Sequence, residues 1–194
     1  MAWVRSEYAG EFAVIAAWLS MVLPWNIVYH PSVPTDPLAS KMAIIRLPLA
    51  EVQFRFPAVI EVNGETSSAA AVLEQIYPGF RLFGEVFLTT PVGASGHYDG
   101  YMQLGSYAWA VGALAVAAAF AVSLAFYLRE EALQDRLSAD PVRLIGGLLG
   151  MAAASLAAAS VLYFFDRDLG GIPIPIGVVV MGALSVALLR VERK

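Results

Sequence analysis

The chain has 194 residues, of which 59% are hydrophobic and 14% are charged, and its formal net charge is −4. Soluble domains are about half apolar and about a quarter charged, so this composition indicates a membrane protein. The absence of cysteine excludes disulfides, thiolate metal sites and thiol nucleophiles. The slight acidic excess argues against nucleic-acid binding, because a phosphate-binding surface must be basic.

Four apolar stretches, separated by more polar segments, are each about long enough to cross a membrane. A bilayer core of about 30 Å requires roughly 20 apolar residues at a rise of about 1.5 Å per residue. Aromatic residues border the first two stretches, as is typical of the membrane interface. The sequence therefore predicts four transmembrane helices, at 12–29, 104–128, 142–165 and 172–189.

Basic residues close to these stretches predict their orientation. Arg129, Arg136 and Arg143 cluster around the connection 129–141, and further basic residues follow the last stretch. Lys and Arg in short connections favour the cytoplasmic side, whereas long loops cross the membrane largely regardless of charge. We therefore expect a multi-pass protein of the cell membrane with both termini in the cytoplasm.

Residues 31–103 form the longest polar segment, which is expected outside the cytoplasm. The stretch EVQFRF alternates, with Val52 and Phe54 on one side, and this pattern predicts a half-buried strand. Glu51 and Gln53 lie on the other side. AVIEV before Asn-Gly and the later RLFGEVFLTT are also predicted strands, and AAAVLEQIY is a predicted short helix. The segment is thus predicted to be a small α+β cap.

The apolar face of this cap is expected to pack on the helices or on the lipid surface, because so few strands are marginally stable alone. An amphipathic layer on the lipid headgroups is the alternative. The predicted fold class is all-α and membrane-spanning, a bundle of four transmembrane helices with an extracytoplasmic α+β segment between helices 1 and 2. The predicted domains are 1–30 with the first helix, the cap at 31–103, and helices 2–4 at 104–194.

Glu7 and Glu11 border the first apolar stretch. On a helix these residues share a face and repel each other, so a cation or water must lie nearby. We expect both at the cytoplasmic interface, with Glu11 paired to an arginine of the inner side, Arg143 among the candidates; a buried proton or cation relay is the alternative. A signal peptide is the alternative for the whole stretch, but Arg5 is outnumbered by the two glutamates and no small-residue cleavage site follows.

Pro24 and Asn26 lie near the outer end of the first stretch. A proline inside a helix frees a carbonyl and kinks the helix. The Asn26 amide is expected to satisfy the opened backbone. A solute site at a broken helix is the alternative, but such sites pair with a matching break elsewhere, and the second and third stretches show none.

Small residues recur every four positions in the third stretch. The sequence GGLLGMAAAS places Gly146, Gly150 and Ala154 on one helix face. Helices in lipid pack closely through such faces, because small residues allow the backbones to approach. We expect the partner to be the second predicted helix of the same chain; another copy of the protein is the alternative.

No sequence motif indicates catalysis or a bound cofactor. The metal-like elements are His30 and His97 with Asp99, which are far apart in the chain, whereas a zinc site needs three or four ligands. The serines of the last three apolar stretches have no histidine nearby that could act as a base. We therefore expect no enzymatic activity, no cofactor and no metal.

Several quoted stretches resemble a known family. WVRSEYAGEFAV and PWN near the start, TTPVGA before YAWAVGA, and DPVRLIGGLLG at the third apolar stretch resemble an uncharacterised family of four-span membrane proteins from halophilic archaea. The resemblance covers both ends of the outer segment and three of the four stretches. It implies a four-helix membrane architecture and a location in the cell membrane, and it implies no catalytic residue.

These observations favour a structural or accessory membrane protein that lies in the lipid bilayer, with a membrane-protein partner or a second copy bound to it. A small solute or ion transporter, or a channel subunit, is the alternative. A transporter needs polar groups at mid-membrane. The middles of the last three stretches offer almost only small apolar residues and a few serines.

Overall fold

The computed structural model describes residues 8–30, 39–57, 59–62, 65–68, 81–83, 86–128, 140–165 and 172–191. These residues form five helices: α1 (Ala9–Val22), α2 (Pro91–His97), α3 (Gly100–Leu128), α4 (Pro141–Phe165) and α5 (Ile176–Leu189). The strands are β1 (Asn26–His30), β2 (Ala39–Arg46), β3 (Glu51–Pro57), β4 (Val59–Val62), β5 (Glu65–Ser68), β6 (Arg81–Phe83), β7 (Val86–Thr89) and β8 (Ile172–Ile174). A six-stranded antiparallel sheet has the order β6-β7-β3-β2-β1-β8, and β4 pairs with β5 separately.

The predicted all-α bundle of four transmembrane helices is wrong. A six-stranded sheet accompanies the helices, and in the described ranges only α3 and α4 are long and apolar enough to cross a membrane. The helices α1 and α5 have 14 residues each, which gives a length of about 21 Å. A bilayer core is about 30 Å thick. The sheet also extends beyond the predicted outer segment, because β1 and β8 come from the predicted first and fourth transmembrane helices.

Local sequence explains why the first and fourth apolar stretches change between helix and strand. The helix α1 ends at Val22, and Pro24 follows, whose missing N–H cannot continue a helical ladder. The β-branched pair Ile27 and Val28 then favours a strand. In the fourth stretch, Pro173 lies in β8 at the edge of the sheet, where a missing backbone donor is tolerated.

The strands predicted in the outer segment are present. EVQFRF lies in β3, AVIEV contributes β4, and RLFGEVFLTT contributes β6 and β7. The helix predicted for AAAVLEQIY falls outside the described residues. The helix α2 has no counterpart among the predicted elements; Thr90 caps it, since its Oγ1 accepts a hydrogen bond from the Gly93 N–H at 3.1 Å.

The helices α1, α3, α4 and α5 pack side by side with the sheet at one end. At this end, after α1, the Trp25 ring contacts Trp109 of α3 and Tyr163 of α4, with ring centroids 6.0 and 6.3 Å apart. At the opposite end, Gly10 of α1 lies against the Phe126 ring of α3. Consecutive helices of this group therefore run in opposite directions, and the start of α1 and the end of α5 lie at the end away from the sheet.

Gly177 lies where α5 touches the backbone that follows α1. A Cβ atom at this position would lie 2.4 Å from the Pro24 carbonyl oxygen and 2.6 Å from the Trp25 Cα. Both are backbone atoms, which cannot move aside as a flexible side chain can. The contact between α5 and the start of β1 therefore requires glycine.

We predict that Gly177→Ala lowers the free energy of unfolding by at least about 1–3 kcal/mol. This is the usual cost of overpacking, and here the clash is with backbone atoms. The matched control is Gly182→Ala in the same helix, where no atom lies within 4 Å of the Cβ position. Alanine is favoured over glycine inside a helix by about 0.5–1 kcal/mol, so this control should be neutral or slightly stabilising. Chemical denaturation of both variants measures the difference. Equal losses in the two variants would contradict the close contact.

Candidate functional site

Four buried polar residues form a row across the sheet, on the face that packs against the helices. In the strand register, Asn26 lies opposite Arg46, Arg46 opposite Glu51, and Glu51 opposite Thr89. Residues directly opposite each other in an antiparallel sheet point to the same face. Their exposed fractions are 0%, 2%, 0% and 6%. We refer to Asn26, Arg46, Glu51 and Thr89 as the polar row.

Arg46 and Glu51 form an ion pair at the centre of this row. Nε of Arg46 donates to Oε2 of Glu51 at 2.5 Å. The other carboxylate oxygen, Oε1, accepts from the Gln53 amide and from the Tyr98 hydroxyl, the latter at 3.1 Å. Both carboxylate oxygens therefore have donors, as a buried charge requires.

Aromatic side chains next to the sheet enclose the ion pair. The guanidinium carbon of Arg46 lies 4.1 Å from the centroid of the Tyr163 ring, which is a cation–π contact. The Tyr163 hydroxyl and Ser106 Oγ are 2.9 Å apart and share a hydrogen bond. The rings of Trp25 and Tyr98 pack against Tyr163, with centroids at 6.3 and 6.5 Å. The ion pair thus connects two strands of the sheet to α3, to α4 and to the segment before α3.

The surroundings of the ion pair fix the protonation of its members. Burial alone would lower the pKa of Arg46, but the Glu51 carboxylate together with Tyr163 and Tyr98 outweighs this effect, and the pKa is raised. Burial, and then the Glu51 charge, raises the pKa of Tyr98 well above its usual value. Arg46 therefore stays charged, and Tyr98 keeps the proton that it donates to Glu51.

Two side chains of β1 have buried polar atoms without a hydrogen-bond partner among the described residues: Asn26 Oδ1 and both ring nitrogens of His30. The Asn26 amide nitrogen donates to Ser160 Oγ in α4 at 3.2 Å. Strand alternation places Asn26 and His30 on the same face as the ion pair. Burial lowers the pKa of His30, and the positive charge of Arg46 lowers it further. His30 is therefore neutral at neutral pH.

The predicted acidic residues lie away from the ion pair. Glu11 is exposed on α1, and Glu7 falls outside the described residues. Arg143 is exposed in the first turn of α4, at the end of the helices away from the sheet. No ion pair in the described part of the chain joins Glu11 to Arg143 or Arg190, so the arginine partner of Glu11 stays a prediction.

Pro24 and Asn26 both lie at the junction between α1 and the sheet. Pro24 follows the end of α1, so it separates helix from strand instead of kinking a continuous helix. Asn26 is the first residue of β1 and belongs to the polar row. Its amide binds the Ser160 side chain, not a helix carbonyl.

The small residues of α4 contact α5. A Cβ at Gly146 would lie 2.9 Å from the Leu188 Cβ, and one at Gly150 would lie 2.7 Å from the Ser185 Oγ. Ser185 Oγ also donates to the Gly146 carbonyl oxygen at 2.7 Å. Ala154 is exposed, so the small-residue face does not continue along the helix. The helix expected as partner, α3, meets a different part of α4.

The predicted site residues do not include the ion pair, because the alternation in EVQFRF indicates which side chains share a face but not which face packs against the helices. In the structure the polar side is buried: Glu51 is 0% and Gln53 is 6% exposed, whereas Phe54 is 37% exposed. One local signal was available. Arg46 and Glu51 flank a four-residue turn symmetrically, so any regular hairpin brings these opposite charges together.

These features define an α+β protein in which a buried ion pair joins an antiparallel sheet to the helices. Two of the described helices are long and apolar enough to cross a membrane. Residues 2–193 match the family of unknown function DUF7549, and the chain belongs to this family. No curated protein matches the chain. The membership confirms the expectation of an uncharacterised family.

Removal of one member of the ion pair should destabilise the protein strongly. In Glu51→Gln the buried Arg46 charge loses its counterion, and breaking a buried pair in this way costs about 3–5 kcal/mol. In the double variant Arg46→Met with Glu51→Leu no charge remains, so most of that loss should be recovered. Unfolding free energies of the single and double variants measure the coupling.

The control for this comparison is Glu11→Gln, which neutralises an exposed carboxylate. Its effect should stay below about 1 kcal/mol, even where an interfacial ion pair is lost. The matching single variants are Arg46→Met and Glu51→Leu. A double variant that loses the sum of their two losses would contradict the coupling of Arg46 with Glu51.

His30 should make the protein less stable in acid. Its pKa in the folded protein lies below the ordinary value of 6.5, so the unfolded chain binds the proton more readily. Stability is therefore unaffected by His30 above about pH 6.5 and falls as the pH decreases below that value. The variant His30→Gln cannot titrate, so its Tm should fall less between about pH 7.5 and pH 5.5. Parallel Tm curves for the two proteins would exclude this role of His30.

Proposed function

We propose that the protein is a structural or accessory membrane component, anchored by α3 and α4, without a catalytic role. The two helices have 29 and 25 residues, and about 20 are enough to cross the hydrocarbon core. They follow each other in the chain and pack antiparallel, so they can cross the membrane as a helical hairpin. The helices α1 and α5 are shorter and lie beside this hairpin.

The observation that carries this proposal is the apolar surface that the helices leave uncovered. In each long helix, only 39% of the most apolar 18-residue stretch is buried inside the protein. Large exposed apolar side chains occur on all four packed helices, among them Ile15, Leu114, Met151, Val161 and Val179. An extended apolar surface of this kind marks contact with a membrane or with another protein.

Exposed aromatic residues at both ends of the helices also support a membrane location. Tyr101 and Tyr107 are exposed near the sheet. Tyr8 and Tyr127 are exposed at the opposite end. Amphipathic aromatic rings favour the two membrane–water boundaries, so two such groups at the ends of apolar helices fit an embedded protein.

The serines of the helices support a structural role over a transporter or channel subunit. Ser155 Oγ of α4 donates to the Ala108 carbonyl of α3 at 2.8 Å, and Ser185 makes the corresponding bond from α5 to α4. Ser106 donates to the Met102 carbonyl of its own helix. Hydroxyls bound in this way connect helices and satisfy backbone groups. Their hydroxyl protons are then already donated inside the protein.

In this proposal the sheet lies outside the cell, and the α3–α4 connection and both ends of the chain lie in the cytoplasm. The arginines at 129, 136 and 143 support this orientation through the positive-inside rule. The membrane is the cell membrane of a halophilic archaeon, as the resemblance of the sequence implies. The exposed surface of the helices would bind lipid and a membrane-protein partner or a second copy.

The variant Leu114→Arg tests the membrane location. Leu114 lies in the middle of α3 and is 71% exposed. An arginine at the centre of a transmembrane helix costs about 2.5–3.5 kcal/mol on insertion scales, so the fraction of protein that resists alkaline carbonate extraction of membranes should fall. At an exposed site in a water-soluble protein the same change stays within about 0.5 kcal/mol.

The control is Val92→Arg, at an exposed position of α2 near the sheet. This variant should remain in the carbonate-resistant fraction together with the unmodified protein. Release of the unmodified protein by carbonate would overturn the proposal.

A further inference from the structure

We infer that the turn of residues 47–50, between β2 and β3, enters the boundary between lipid headgroups and hydrocarbon, so that the sheet helps to anchor the protein. The inference rests on the proposed membrane location of α3 and α4. The turn sequence Leu-Pro-Leu-Ala carries no polar side chain, and Leu49 is 43% exposed. Water-facing turns are usually formed by Gly, Asn, Asp and Ser together with Pro, so this composition fits an apolar surrounding.

A hydrogen bond from the Trp109 indole shows at which height along α3 the turn lies. Trp109 Nε1 donates to the Pro48 carbonyl oxygen at 2.7 Å, so the turn and Trp109 lie at the same level. The part of α3 from Trp109 to Leu128 has about 20 residues and a length of about 30 Å, which is the thickness of a bilayer core. Trp109 then lies at the level of the outer boundary of the core.

Counting residues along α4 independently places the membrane boundary at the same height of the sheet. Ser160 follows the start of α4 by about 20 residues, again about one bilayer core. Its Oγ accepts a hydrogen bond from Asn26 at the start of β1. Asn26 pairs with Arg46, the residue next to the turn. Both long helices therefore place this end of the sheet at the boundary.

Three carbonyl groups and one N–H of the turn backbone have hydrogen-bond partners inside the protein. The Leu47 N–H donates to the Ala50 carbonyl at 2.7 Å, and the Leu47 carbonyl accepts from the Trp25 indole at 3.1 Å. The Pro48 carbonyl is bound by Trp109, and proline has no N–H. Irregular backbone at membrane depth is tolerated only where its polar groups are satisfied by the protein. Two indole donors meet this requirement for two carbonyls of one turn.

The outer face of the sheet continues the apolar surface of the turn. An aliphatic row lies one residue further from the turn than the polar row, on the opposite face, and consists of Ile174, Ile27, Ile45, Val52 and Leu88. Strand alternation turns these side chains away from the helices.

Ile174 and Ile176 are both exposed at the step from β8 to α5 and connect this row to the exposed side of α5. Because the surface is continuous with the proposed lipid-facing sides of the helices, lipid is the occupant that we assign to it.

The chain contains no cysteine, so single cysteines can be labelled without background. Nitroxide labels at Leu49→Cys, Leu114→Cys and Val92→Cys are compared in vesicles of phosphatidylcholine and phosphatidylglycerol. Power saturation measures collisions with oxygen, which concentrates in lipid, and with a water-soluble nickel chelate. We expect the oxygen-to-nickel ratio of Leu49→Cys to lie several-fold above that of Val92→Cys and below that of Leu114→Cys. Ile174→Cys provides a second site on the same surface, with a ratio in the same range.

The outcomes separate this inference from the proposed function. Nickel access at Leu49→Cys and Ile174→Cys equal to that at Val92→Cys, with a lipid-exposed label at Leu114→Cys, overturns the inference and leaves the proposed function intact. Nickel access at Leu114→Cys as well overturns both.

Discussion

The joining of sheet and helices depends on the buried ion pair between Arg46 and Glu51. Removing two charges from water is unfavourable, and it is offset only when the remaining donors and acceptors are also satisfied. Here the donors to the carboxylate come from β2, β3 and the segment before α3, and the ring over the guanidinium comes from α4. All these elements must be in place at once. We therefore interpret the pair as a device that specifies one arrangement of sheet and helices.

Hydropathy was sufficient to predict α3 and α4, because both are long, uninterrupted and almost free of charge. It failed for the first and fourth apolar stretches, because an apolar strand and an apolar helix segment have the same hydropathy. The local signals of the change were Pro24 before Ile27 and Val28, and the Ile-Pro-Ile sequence of β8. What selects the strand is non-local: Ile27 pairs with Ile174, a residue from the other end of the chain.

The alternation of β3 predicted which side chains share a face, but not which face is buried. Glu51 and Gln53 turn inward because Tyr98 and Arg46 provide partners there, and these contacts depend on tertiary structure. The usual assumption that the apolar side of a strand packs inward holds when the outside is water. A strand that lies beside lipid can be polar toward the protein and apolar toward its surroundings, as the proposed location of this sheet implies.

If the protein lies in a membrane as proposed, the shortness of α1 and α5 fits the position of the sheet. The helices α1 and α5 are about 21 Å long. At the level where Trp25 and Trp109 meet, α1 continues into β1 and β8 leads into α5. At this depth the N–H and C=O groups of a strand need hydrogen-bond partners. For β1 the neighbouring strands β2 and β8 provide them on both sides. The ion pair follows within one residue of the turn, where α3, α4 and the aromatic rings shield it. Its position at the end of the helices therefore places the charges of the sheet on the protein side, while the aliphatic side of the sheet faces away from the helices.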